Sequence, residues 1–475
     1  MQKTKMVFTI GPASDSEEVL SALIEAGMSA SRHNFSHGTH EQNLEKIMLV
    51  KRLREEYKRH IAIILDTKGP EIRTGKFMTD QVTLQEGKPF SIHCDGDVEG
   101  TADQCSISYG ALYQDVKPGD TILIDDGLVG LEVQKVQGKV IETQVKNGGT
   151  LSNNKGVNIP GVPVNLPSLT DQDRSDLRFG CQAGVDIVAA SFIRTAADTL
   201  AIREVLDGCG GKDILVYSKI ENQQGVENID EIIKVSDGIM VARGDMGVEI
   251  PIEEVPQVQK MIIRKCNRAG IPVITATQML DSMMRNPRPT RAEVSDVANA
   301  IYDGTDAIML SGESASGKYP IEAAITMARI AGAAEEELNW EAVQETKKGT
   351  PKWDVPNAIS WAACTTASEL DAKAIIASTQ SGHTARRISK FRPSCDIIAV
   401  TPSDRVARTL ALHWGVIPTT APQMSTTDEL IEKSVAIALE GGYVEKGDLV
   451  VIAAGVPMGI PGSTNLMKVH LVGGA

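Results

Sequence analysis

The sequence predicts an α/β fold: a (β/α)8 barrel with an inserted all-β domain and a C-terminal α/β domain. Three observations predict it. Eight short apolar segments alternate with segments of helical periodicity, an alternating β pattern interrupts this series after the third segment, and a smaller α/β series follows a polar linker. The chain has 475 residues, which is too long for one ordinary hydrophobic core, so we expect two to four domains.

The barrel is predicted from eight apolar segments: 6–10, 28–35, 61–67, 185–192, 213–220, 237–243, 272–277 and 306–310. Continuous apolar strands that alternate with helices are typical of buried parallel strands. Eight is the number at which such an array closes into a barrel. A doubly wound open sheet is the alternative, but no glycine-rich dinucleotide-binding turn follows the first strand, so we favour the barrel.

The inserted domain is predicted from the long interval between the third and fourth strands, which exceeds a normal βα connection. Residues 82–94 and 120–145 alternate apolar and polar positions, with Gly, Asp and Pro at the turns. We place the domain at residues 70–167, between Pro70 and Pro167. Because it is attached at the carboxyl end of a strand, we expect it to act as a lid over the mouth of the barrel.

The C-terminal domain is predicted after a helix that ends near Trp340 and a polar linker at 344–357. Its expected strands are 374–379, 396–401 and 448–455. The predicted domains are therefore a barrel at 1–69 and 168–343, a lid at 70–167 and an α/β domain at 344–475.

Composition excludes several classes of protein. A formal net charge of -14 and a pI near 5.2 argue against a general nucleic-acid binder, and no stretch approaches the roughly 20 apolar residues of a membrane span. The N-terminus has too short an apolar run for a signal peptide. The seven cysteines never show C-x-x-C spacing, so we expect free thiols in a reducing, cytoplasmic compartment; they are Cys94, Cys105, Cys181, Cys209, Cys266, Cys364 and Cys395.

Polar side chains recur where the predicted barrel strands end, and such ends face the catalytic mouth. They are Arg32, Asn34, Ser36, Asp66, Thr67, Lys68, Lys219, Glu221, Arg243, Gly244, Asp245, Thr275, Thr277, Ser311 and Glu313. A single polar strand end often only meets water. Several together favour a functional site.

The segment Ser218–Lys219–Ile220–Glu221 carries the sharpest pair. Lys219 and Glu221 are two apart on a strand and project to the same side. Alone, they are explained best as an ion pair. Asp245 after the next strand could join Glu221 in holding Mg²⁺, since two carboxylates with open positions are typical of magnesium sites. Lys219 would then stabilise a developing oxyanion, and the backbone N–H groups near Gly244 could bind a carboxylate.

The stretch SRHNFSH, residues 31–37, resembles a zinc site at first sight. On a strand, however, His33 and His37 lie about 13 Å apart. Alternation puts Arg32, Asn34 and Ser36 on one side, where Arg32 offers a fork for phosphoryl oxygens. Asn34 and Ser36, with Asp66 and Thr67, could hold a monovalent cation. We expect His33 to be a packed, neutral histidine on the helical side of the strand.

Several long motifs resemble the pyruvate kinase family over the whole chain. They are TIGPAS (9–14), IAIILDTKGPEIRT (61–74), NKGVNIPG (154–161), SKIEN (218–222), MVARGDMGVE (240–249), ITATQMLDSM (274–283) and the segment 286–314. The resemblance is closest to the shorter bacterial type without an extra C-terminal domain. It implies the same barrel, lid and C-terminal regulatory domain, and the transfer of the phosphoryl group of phosphoenolpyruvate to ADP, which gives ATP and pyruvate.

The resemblance also implies roles for individual residues. Glu221 and Asp245 would hold Mg²⁺ (or Mn²⁺), Lys219 would stabilise the enolate, and Arg32 would bind the phosphoryl group. Gly244 would bind the carboxylate, and Thr277 would lie near the water relay that protonates the enol carbon. The remaining ligands would be Asn34, Ser36, Asp66 and Thr67 for K⁺, and Asn34, His37, Arg73 and Lys155 for the nucleotide. Family members with Lys in place of Glu71 dispense with K⁺, so this chain is expected to need it.

The loop at 378–390 is expected to bind an activating sugar phosphate, as in the family, where the effector is often fructose 1,6-bisphosphate. Thr379, Ser381, Gly382, His383 and Thr384 could form a phosphate nest at a helix N-terminus. An ordinary helix start explains the pattern equally well. His383 stands where a basic residue is common, which leaves the effector open. The family is usually a homotetramer.

Two other functions remain open. A magnesium-dependent phosphoenolpyruvate lyase or mutase would share the carboxylates but would not need Arg73 and Lys155. A catalytically inactive sugar-phosphate sensor would use only the C-terminal loop. The presence of Lys219, Glu221 and Asp245 argues against such a sensor.

Overall fold

The first units of the predicted barrel lie at the N-terminus. The computed structural model describes residues 2–96, 98–345, 354–457 and 462–474. The chain begins with β1 (Lys5–Thr9), α1 (Glu17–Glu25), β2 (Met28–Asn34), α2 (His40–Glu56) and β3 (Ala62–Asp66). Thr39 starts α2 with a capping box, since its hydroxyl accepts from the Gln42 N–H and the Gln42 side chain accepts from the Thr39 N–H.

The insertion after β3 is a separate, sheet-rich domain, as predicted. Its elements are β4 (Ile72–Arg73), β5 (Gln81–Leu84), β6 (Pro89–His93), β7 (Gln104–Ser106), α3 (Leu112–Asp115), β8 (Thr121–Ile124), β9 (Val129–Gln137), β10 (Val140–Asn147), β11 (Gly149–Ser152) and β12 (Gly156–Asn158). Seven strands form one sheet in the order β4-β12-β8-β9-β10-β6-β7, and β11 pairs with β5. This domain buries its own apolar core.

The barrel then resumes and closes. Its remaining elements are α4 (Asp171–Ala183), β13 (Ile187–Ala190), α5 (Ala196–Gly208), β14 (Leu215–Ile220), α6 (Gln223–Glu227), α7 (Ile229–Val235), β15 (Gly238–Ala242), α8 (Arg243–Glu249), a 3-10 turn (Ile252–Glu254), α9 (Val255–Ala269), β16 (Val273–Ala276), a 3-10 turn (Asp281–Met284), α10 (Arg291–Tyr302), β17 (Ala307–Leu310), α11 (Gly312–Ala315), α12 (Pro320–Glu336) and α13 (Trp340–Glu345). The strand order β1-β17-β16-β15-β14-β13-β3-β2 is closed and parallel, which confirms the barrel over the open sheet. The helix expected to end near Trp340 ends at Glu336 instead.

The C-terminal domain is a five-stranded sheet with helices. Its elements are α14 (Val355–Glu369), β18 (Ala374–Ser378), α15 (His383–Lys390), β19 (Asp396–Thr401), α16 (Asp404–Leu410), β20 (Val416–Thr420), α17 (Thr427–Glu440), β21 (Leu449–Gly455) and β22 (Thr464–Leu471), with strand order β20-β19-β18-β21-β22. Most of the predicted linker, 346–353, lies outside the described residues. Among the helices that are described, none combines the length and the apolar character that crossing a membrane requires.

The C-terminal domain packs against the amino ends of the barrel strands, opposite the mouth. Leu412 joins the apolar interior of the barrel. Arg408 Nε lies 2.8 Å from Asp186 Oδ1, just before β13, and Arg392 Nη2 lies 3.0 Å from Asp306 Oδ1, just before β17. These contacts leave the carboxyl ends of the strands to the lid.

The cysteine prediction is partly wrong. Cys181, near the end of α4, and Cys209, after α5, are joined by a disulfide across neighbouring helices. The five other cysteines are free, as expected, and they are Cys94, Cys105, Cys266, Cys364 and Cys395. The two paired cysteines are 28 residues apart in sequence. Only the packing of α4 against α5 brings them together.

Candidate active site

The carboxyl end of β14 places a buried lysine among carboxylates. Lys219 Nζ lies 3.1 Å from Asp66 Oδ1 and 2.9 Å from Glu221 Oε1, and it donates to Ser191 Oγ at 2.7 Å. Burial alone would lower the pKa of Lys219, but the Asp66 and Glu221 carboxylates outweigh burial and raise it. The Lys219 ammonium therefore stays charged in a site that is largely closed to water.

Glu221 and Asp245 form an acidic pair beside this lysine. Glu221 is 1% exposed and accepts the Phe192 N–H at 2.6 Å. Burial raises the pKa of Glu221 to about 7, Lys219 offsets this in part, and Asp245 adds to it. Burial also raises the pKa of Asp245 despite the attraction of Lys219. Asp245 lies in the first turn of α8, not at the end of β15 as predicted.

These two carboxylates suit a divalent cation. Both are oxygen donors, both are penalised by burial, and Asp245 adds to the cost of ionising Glu221. Mg²⁺ is commonly held by one or two carboxylates with water and substrate completing its octahedron. Within the described ranges, no group of three or more His, Cys, Asp or Glu side chains is placed to hold a metal.

Arg32 is anchored at the end of β2 by the same aspartate. Its Nε donates to Asp66 Oδ2 at 2.5 Å and its Nη1 donates to Thr9 Oγ1 at 3.0 Å. Burial raises the pKa of Asp66, but Arg32 and Lys219 together lower it below its ordinary value. Asp66 is therefore an ionised carboxylate that orients the Arg32 guanidinium and the Lys219 ammonium toward the same part of the mouth.

The four residues expected to hold K⁺ lie at the ends of β2 and β3. The register of these strands sets Asn34 beside Asp66. Asn34 Oδ1 accepts the Ser36 N–H at 3.1 Å, and Thr67 Oγ1 accepts the Ser191 N–H at 3.1 Å. The structure thus gathers these oxygen-bearing side chains at one edge of the mouth.

The end of β16 brings Thr277 to Gly244. Thr277 Oγ1 accepts the Gly244 N–H at 2.7 Å and donates to the Ala276 carbonyl at 2.6 Å. A Cβ at position 244 would lie 3.5 Å from that oxygen, so the contact is close. Thr275 does not join the ring as expected. It is buried and donates to Thr305 Oγ1 at 3.0 Å. It shares a face of β16 with Val273, which packs against the helical layer, whereas Ile274 and Ala276 face the barrel interior.

Glu313 also differs from its expected place in the ring. It is buried, and its two oxygens accept the N–H groups of Leu280 and Ser311 at 3.0 and 2.8 Å. It therefore ties the loop after β16 to the loop after β17.

The lid and the barrel enclose a cleft of about 550 Å³ that contains two of the expected nucleotide contacts. Arg73 pairs with Glu71 at 2.7 Å, and Lys155 pairs with Asp125 at 2.9 Å. A third expected contact, His37, is exposed just beyond β2. The cleft also has a direct lid–barrel contact, in which Asn158 Nδ2 donates to Glu249 Oε1 at 2.7 Å.

The predicted effector loop borders a second, much smaller cavity of about 60 Å³ in the C-terminal domain. Thr379, Ser381, His383 and Thr384 line it, and Gly382 caps α15 with a φ of 81°. Burial, together with Arg387 and Arg386, lowers the pKa of His383. Because Arg387 Nε donates to His383 Nε2 at 3.2 Å, His383 accepts there as a neutral ring.

Two residues that contact this machinery were missed or misjudged from the sequence. Ser191 follows β13, the one barrel strand between β2 and β17 whose end contributed no predicted residue. Considering every strand end alike would have found it. Arg243 was placed in the ring, but its guanidinium turns toward the helical layer, where it lies 2.8 Å from Asp296. The expectation for His33 is confirmed: it is fully buried, and burial lowers its pKa to about 3, so it is neutral.

Comparisons with known proteins agree with this geometry. A family model described as "Pyruvate kinase, barrel domain" matches residues 1–324, and one described as "Pyruvate kinase, alpha/beta domain" matches residues 357–470. The chain is 60% identical over 472 residues to a pyruvate kinase of Clostridium acetobutylicum, covering 99% of this chain and 100% of the relative. A Clostridium perfringens pyruvate kinase is 56% identical over 474 residues, with 99% and 100% coverage. One from Sporosarcina psychrophila is 53% identical, and its match covers all of this chain and 81% of the relative.

Proposed function

The chain belongs to the pyruvate kinase family and is a phosphotransferase of the glycolytic step between phosphoenolpyruvate and pyruvate, and on that premise we propose that the cluster around Lys219 is its catalytic centre. The observation that carries the proposal is the buried Lys219 ammonium in contact with Asp66, Glu221 and Ser191. We divide the chain into a barrel at 1–69 and 168–343, a lid at 70–167 and a regulatory domain at 344–475.

Two cations of this chain act on the phosphoryl transfer. Arg32 binds oxygens of the phosphoryl group, and its orientation is set by its bond to Asp66. Lys219 faces the enolate oxygen that the departing phosphoryl group leaves behind. A loose phosphoryl-transfer transition state is stabilised mainly by position and charge, and a fixed ammonium in a dry site supplies both.

Glu221 and Asp245 would hold Mg²⁺ or Mn²⁺. When bound, the ion supplies positive charge that neutralises oxygens of the substrate. A second Mg²⁺ would arrive with ADP. The raised pKa of both carboxylates supports the assignment, because a neighbouring divalent charge favours the ionised form of each.

Gly244 and Thr277 act on the other end of the substrate. The Gly244 N–H, with Asp245 beside it, helps to bind the carboxylate of phosphoenolpyruvate. Thr277 lies against Gly244, so its hydroxyl is adjacent to that carboxylate and takes part in the water relay that protonates the enol carbon.

The nucleotide is bound between lid and barrel. Arg73 and Lys155 supply positive charge to ADP from the lid, and Asn34 and His37 contact it from the end of β2. Arg73 and Lys155 are paired with Glu71 and Asp125. The phosphates of ADP would therefore replace these carboxylates as the partners of Arg73 and Lys155.

Full activity requires K⁺, held by Asn34, Ser36, Asp66 and Thr67. Glu71 supports this requirement, because a lysine at that position would supply the missing positive charge. Initial rates are measured with K⁺, Na⁺ or tetramethylammonium as the only monovalent cation. We expect activity with K⁺ alone; full rates in all three would overturn the requirement.

A phosphorylated sugar activates the enzyme from the C-terminal cavity, with Thr379, Ser381, Gly382, His383 and Thr384 forming its phosphate site. The cavity in front of α15 supports this. The half-saturating phosphoenolpyruvate concentration should fall with at least one member of a sugar-phosphate panel. No change with any member would overturn the proposal. By family membership, we also infer a cytoplasmic homotetramer.

The experiment that tests the catalytic proposal is a coupled assay for pyruvate with and without ADP. Formation of pyruvate that depends on ADP supports the kinase reaction at this site. Turnover without ADP would indicate a lyase or mutase, and no turnover would indicate a sensor. Lys219→Met should abolish the reaction, whereas Lys234→Met, which changes an exposed lysine paired with Glu231, should leave the rate unchanged.

A further inference from the structure

The turn after β16 has an unusual backbone. Thr277 and Gln278 both have positive φ, 71° and 54°, and neither is glycine. Each such residue costs on the order of 1–2 kcal/mol relative to ordinary backbone. Two in succession persist only if the surrounding structure holds them. Since Thr277 carries the hydroxyl discussed above, whatever holds this turn also sets the position of that hydroxyl.

Arg243 supplies the holding contacts. Its Nη2 donates to the Thr277 carbonyl at 2.8 Å and contacts Met279 Sδ at 2.9 Å, and its Nε donates to the Ala276 carbonyl at 3.4 Å. One guanidinium thus contacts three residues of the turn. The planar fork can do this because its donors are fixed relative to one another, which the ammonium of lysine cannot reproduce.

The guanidinium is itself aimed from the helical layer. Asp296 on α10 accepts from Arg243 Nη1 at 2.8 Å, and Gln259 on α9 accepts from the same atom at 3.4 Å. Arg243 also precedes Gly244, whose N–H donates to Thr277 Oγ1. Two contacts therefore join the first turn of α8 to the turn after β16. The Arg243 guanidinium donates to the Thr277 carbonyl, and the Gly244 N–H donates to the Thr277 hydroxyl.

We propose that Arg243, oriented by Asp296, is a positioning residue that holds the Thr277 hydroxyl where a proton reaches the enol carbon. The inference rests on the proposed role of Thr277. Arg243 points away from the substrate and acts only through the turn. Loss of its fork should therefore slow proton delivery while leaving phosphoenolpyruvate binding nearly intact, because Arg32, Glu221 and Lys219 are held by other contacts.

The test is a double-mutant cycle of Arg243→Lys and Thr277→Val in the full-length enzyme. Two quantities are measured: steady-state kcat and KM for phosphoenolpyruvate, and deuterium entry into the methyl group of pyruvate in D2O with ATP and Mg²⁺. We expect Arg243→Lys to lower kcat and the exchange rate by about tenfold with KM changed less than about threefold. In the Thr277→Val background the same change should lower exchange by less than about twofold, because the two residues act as one unit.

Arg203→Lys is the matched control. Arg203 also bridges a carbonyl and a carboxylate, those of Ile214 and Asp237 at 2.8 Å each, but at the opposite end of the barrel. The deuterium exchange rate of the Arg203→Lys variant should equal that of the parent enzyme. If Arg243→Lys strongly lowers the unfolding midpoint, Asp296→Asn is used as the test instead. We expect this variant to lower the exchange rate by about threefold and to keep the thermal stability of the parent.

Three outcomes would overturn the inference. Additive losses in the cycle would mean that Arg243 acts independently of Thr277. Unchanged exchange in both Arg243→Lys and Asp296→Asn would mean that the turn does not need them. Unchanged exchange in Thr277→Val would remove the proposed role of Thr277 itself, and the inference with it, while leaving the ADP-dependent assay to judge the rest of the site.

Discussion

Ser191 supports the proposed catalytic lysine, Lys219, by a direct hydrogen bond. Its hydroxyl accepts from Lys219 and donates to the Thr67 carbonyl at 2.6 Å, so it links β14 to the end of β3. Lys219 therefore has a neutral partner besides two carboxylates. Three contacts define the direction of an ammonium better than two.

Ser191→Ala should lower kcat by about tenfold with KM for phosphoenolpyruvate within about threefold, because Lys219 stays charged but is less well directed. Steady-state kinetics measure both values. Ser218→Ala is the control, since Ser218 adjoins Lys219 on the same strand but hydrogen-bonds to Thr199 and Ser236 on the opposite side. Equal losses in the two variants would contradict the assignment.

His33→Leu should stabilise the protein without affecting turnover. His33 Nε2 contacts Ser31 Oγ at 3.1 Å, while its Nδ1 is buried and lacks a hydrogen-bond partner among the described residues. An unsatisfied buried polar atom costs about 1–3 kcal/mol, so leucine should raise the free energy of unfolding by about 1 kcal/mol. Chemical denaturation and the kinase assay test the two halves; a collapse in turnover would contradict the prediction.

At the scale of elements, the lid is joined to the barrel through β12 and α8. Asn158 in β12 donates to Glu249 at the end of α8, and α8 also carries Gly244 and Asp245. This contact therefore connects the domain that bears Lys155 with the helix that bears Asp245, a proposed magnesium ligand. Lid closure and formation of the catalytic site are expected to be coupled through it.

Asn158→Leu should raise KM for ADP by about fivefold, the equivalent of roughly 1 kcal/mol for one hydrogen bond. KM for phosphoenolpyruvate should change less, because that substrate is bound mainly by the barrel. Asn165→Leu is the control: Asn165 bonds to Asp115 at 3.1 Å within the lid itself. A larger effect from Asn165→Leu would argue against the Asn158 contact.

The elements differ in how well the sequence predicts them. All eight barrel strands were predicted within a few residues, because their apolar runs are buried on both sides and leave a continuous signal. β20 and β22 were not predicted. β20 contains Pro418 and threonines, and β22 is an edge strand in which half of the residues are polar. Their identity as strands comes from pairing with β19 and β21.

At the scale of the whole molecule, the barrel and the C-terminal domain share a charged interface. Asp186 is buried, accepts the Ile63 N–H at 3.0 Å and pairs with Arg408 from the other domain. Lys5 Nζ donates to the Val416 carbonyl at 2.7 Å. Burial lowers the pKa of Lys5 to about 8, although Asp396 and Glu335 act against it.

Arg408→Leu should destabilise the protein by about 3 kcal/mol, since it leaves a buried carboxylate with a weakened partner set. Arg54 also pairs with Asp186, but at a longer distance of 3.5 Å. The free energy of unfolding is measured by denaturant titration. Arg52→Leu serves as control, because the Arg52–Glu17 pair is exposed and should contribute little to stability. Equal destabilisation would refute the interface argument.

His413 should make this interface sensitive to acid. Burial, followed by the nearby cations Arg386, Lys5 and Arg392, lowers its pKa to about 3 in the folded chain, against about 6.5 when unfolded. Between these values the unfolded chain binds more protons, so folding stability is complete above about pH 6.5 and declines as pH falls toward 3.

His413→Gln should therefore be measurably less sensitive to acid than the parent. The unfolding midpoint of both proteins is followed from pH 7.5 to pH 5. As the pH falls, the unfolding midpoint of the parent should decrease more than that of the variant. Parallel curves would contradict the prediction.

Local sequence patterns are sufficient to predict the barrel, the two added domains and most of the polar residues at the mouth. These features depend on local periodicity, on motif spacing and on the rule that parallel strands end at one edge. Which of those residues contact one another is apparent only in the folded chain. In the folded chain, Arg243 and Glu313 make supporting contacts and Thr275 lies outside the site. Ser191 contacts Lys219, and Cys181 is joined to Cys209. The physical reason is that such contacts depend on strand register and helix packing between segments distant in sequence, for which a linear pattern carries no signal.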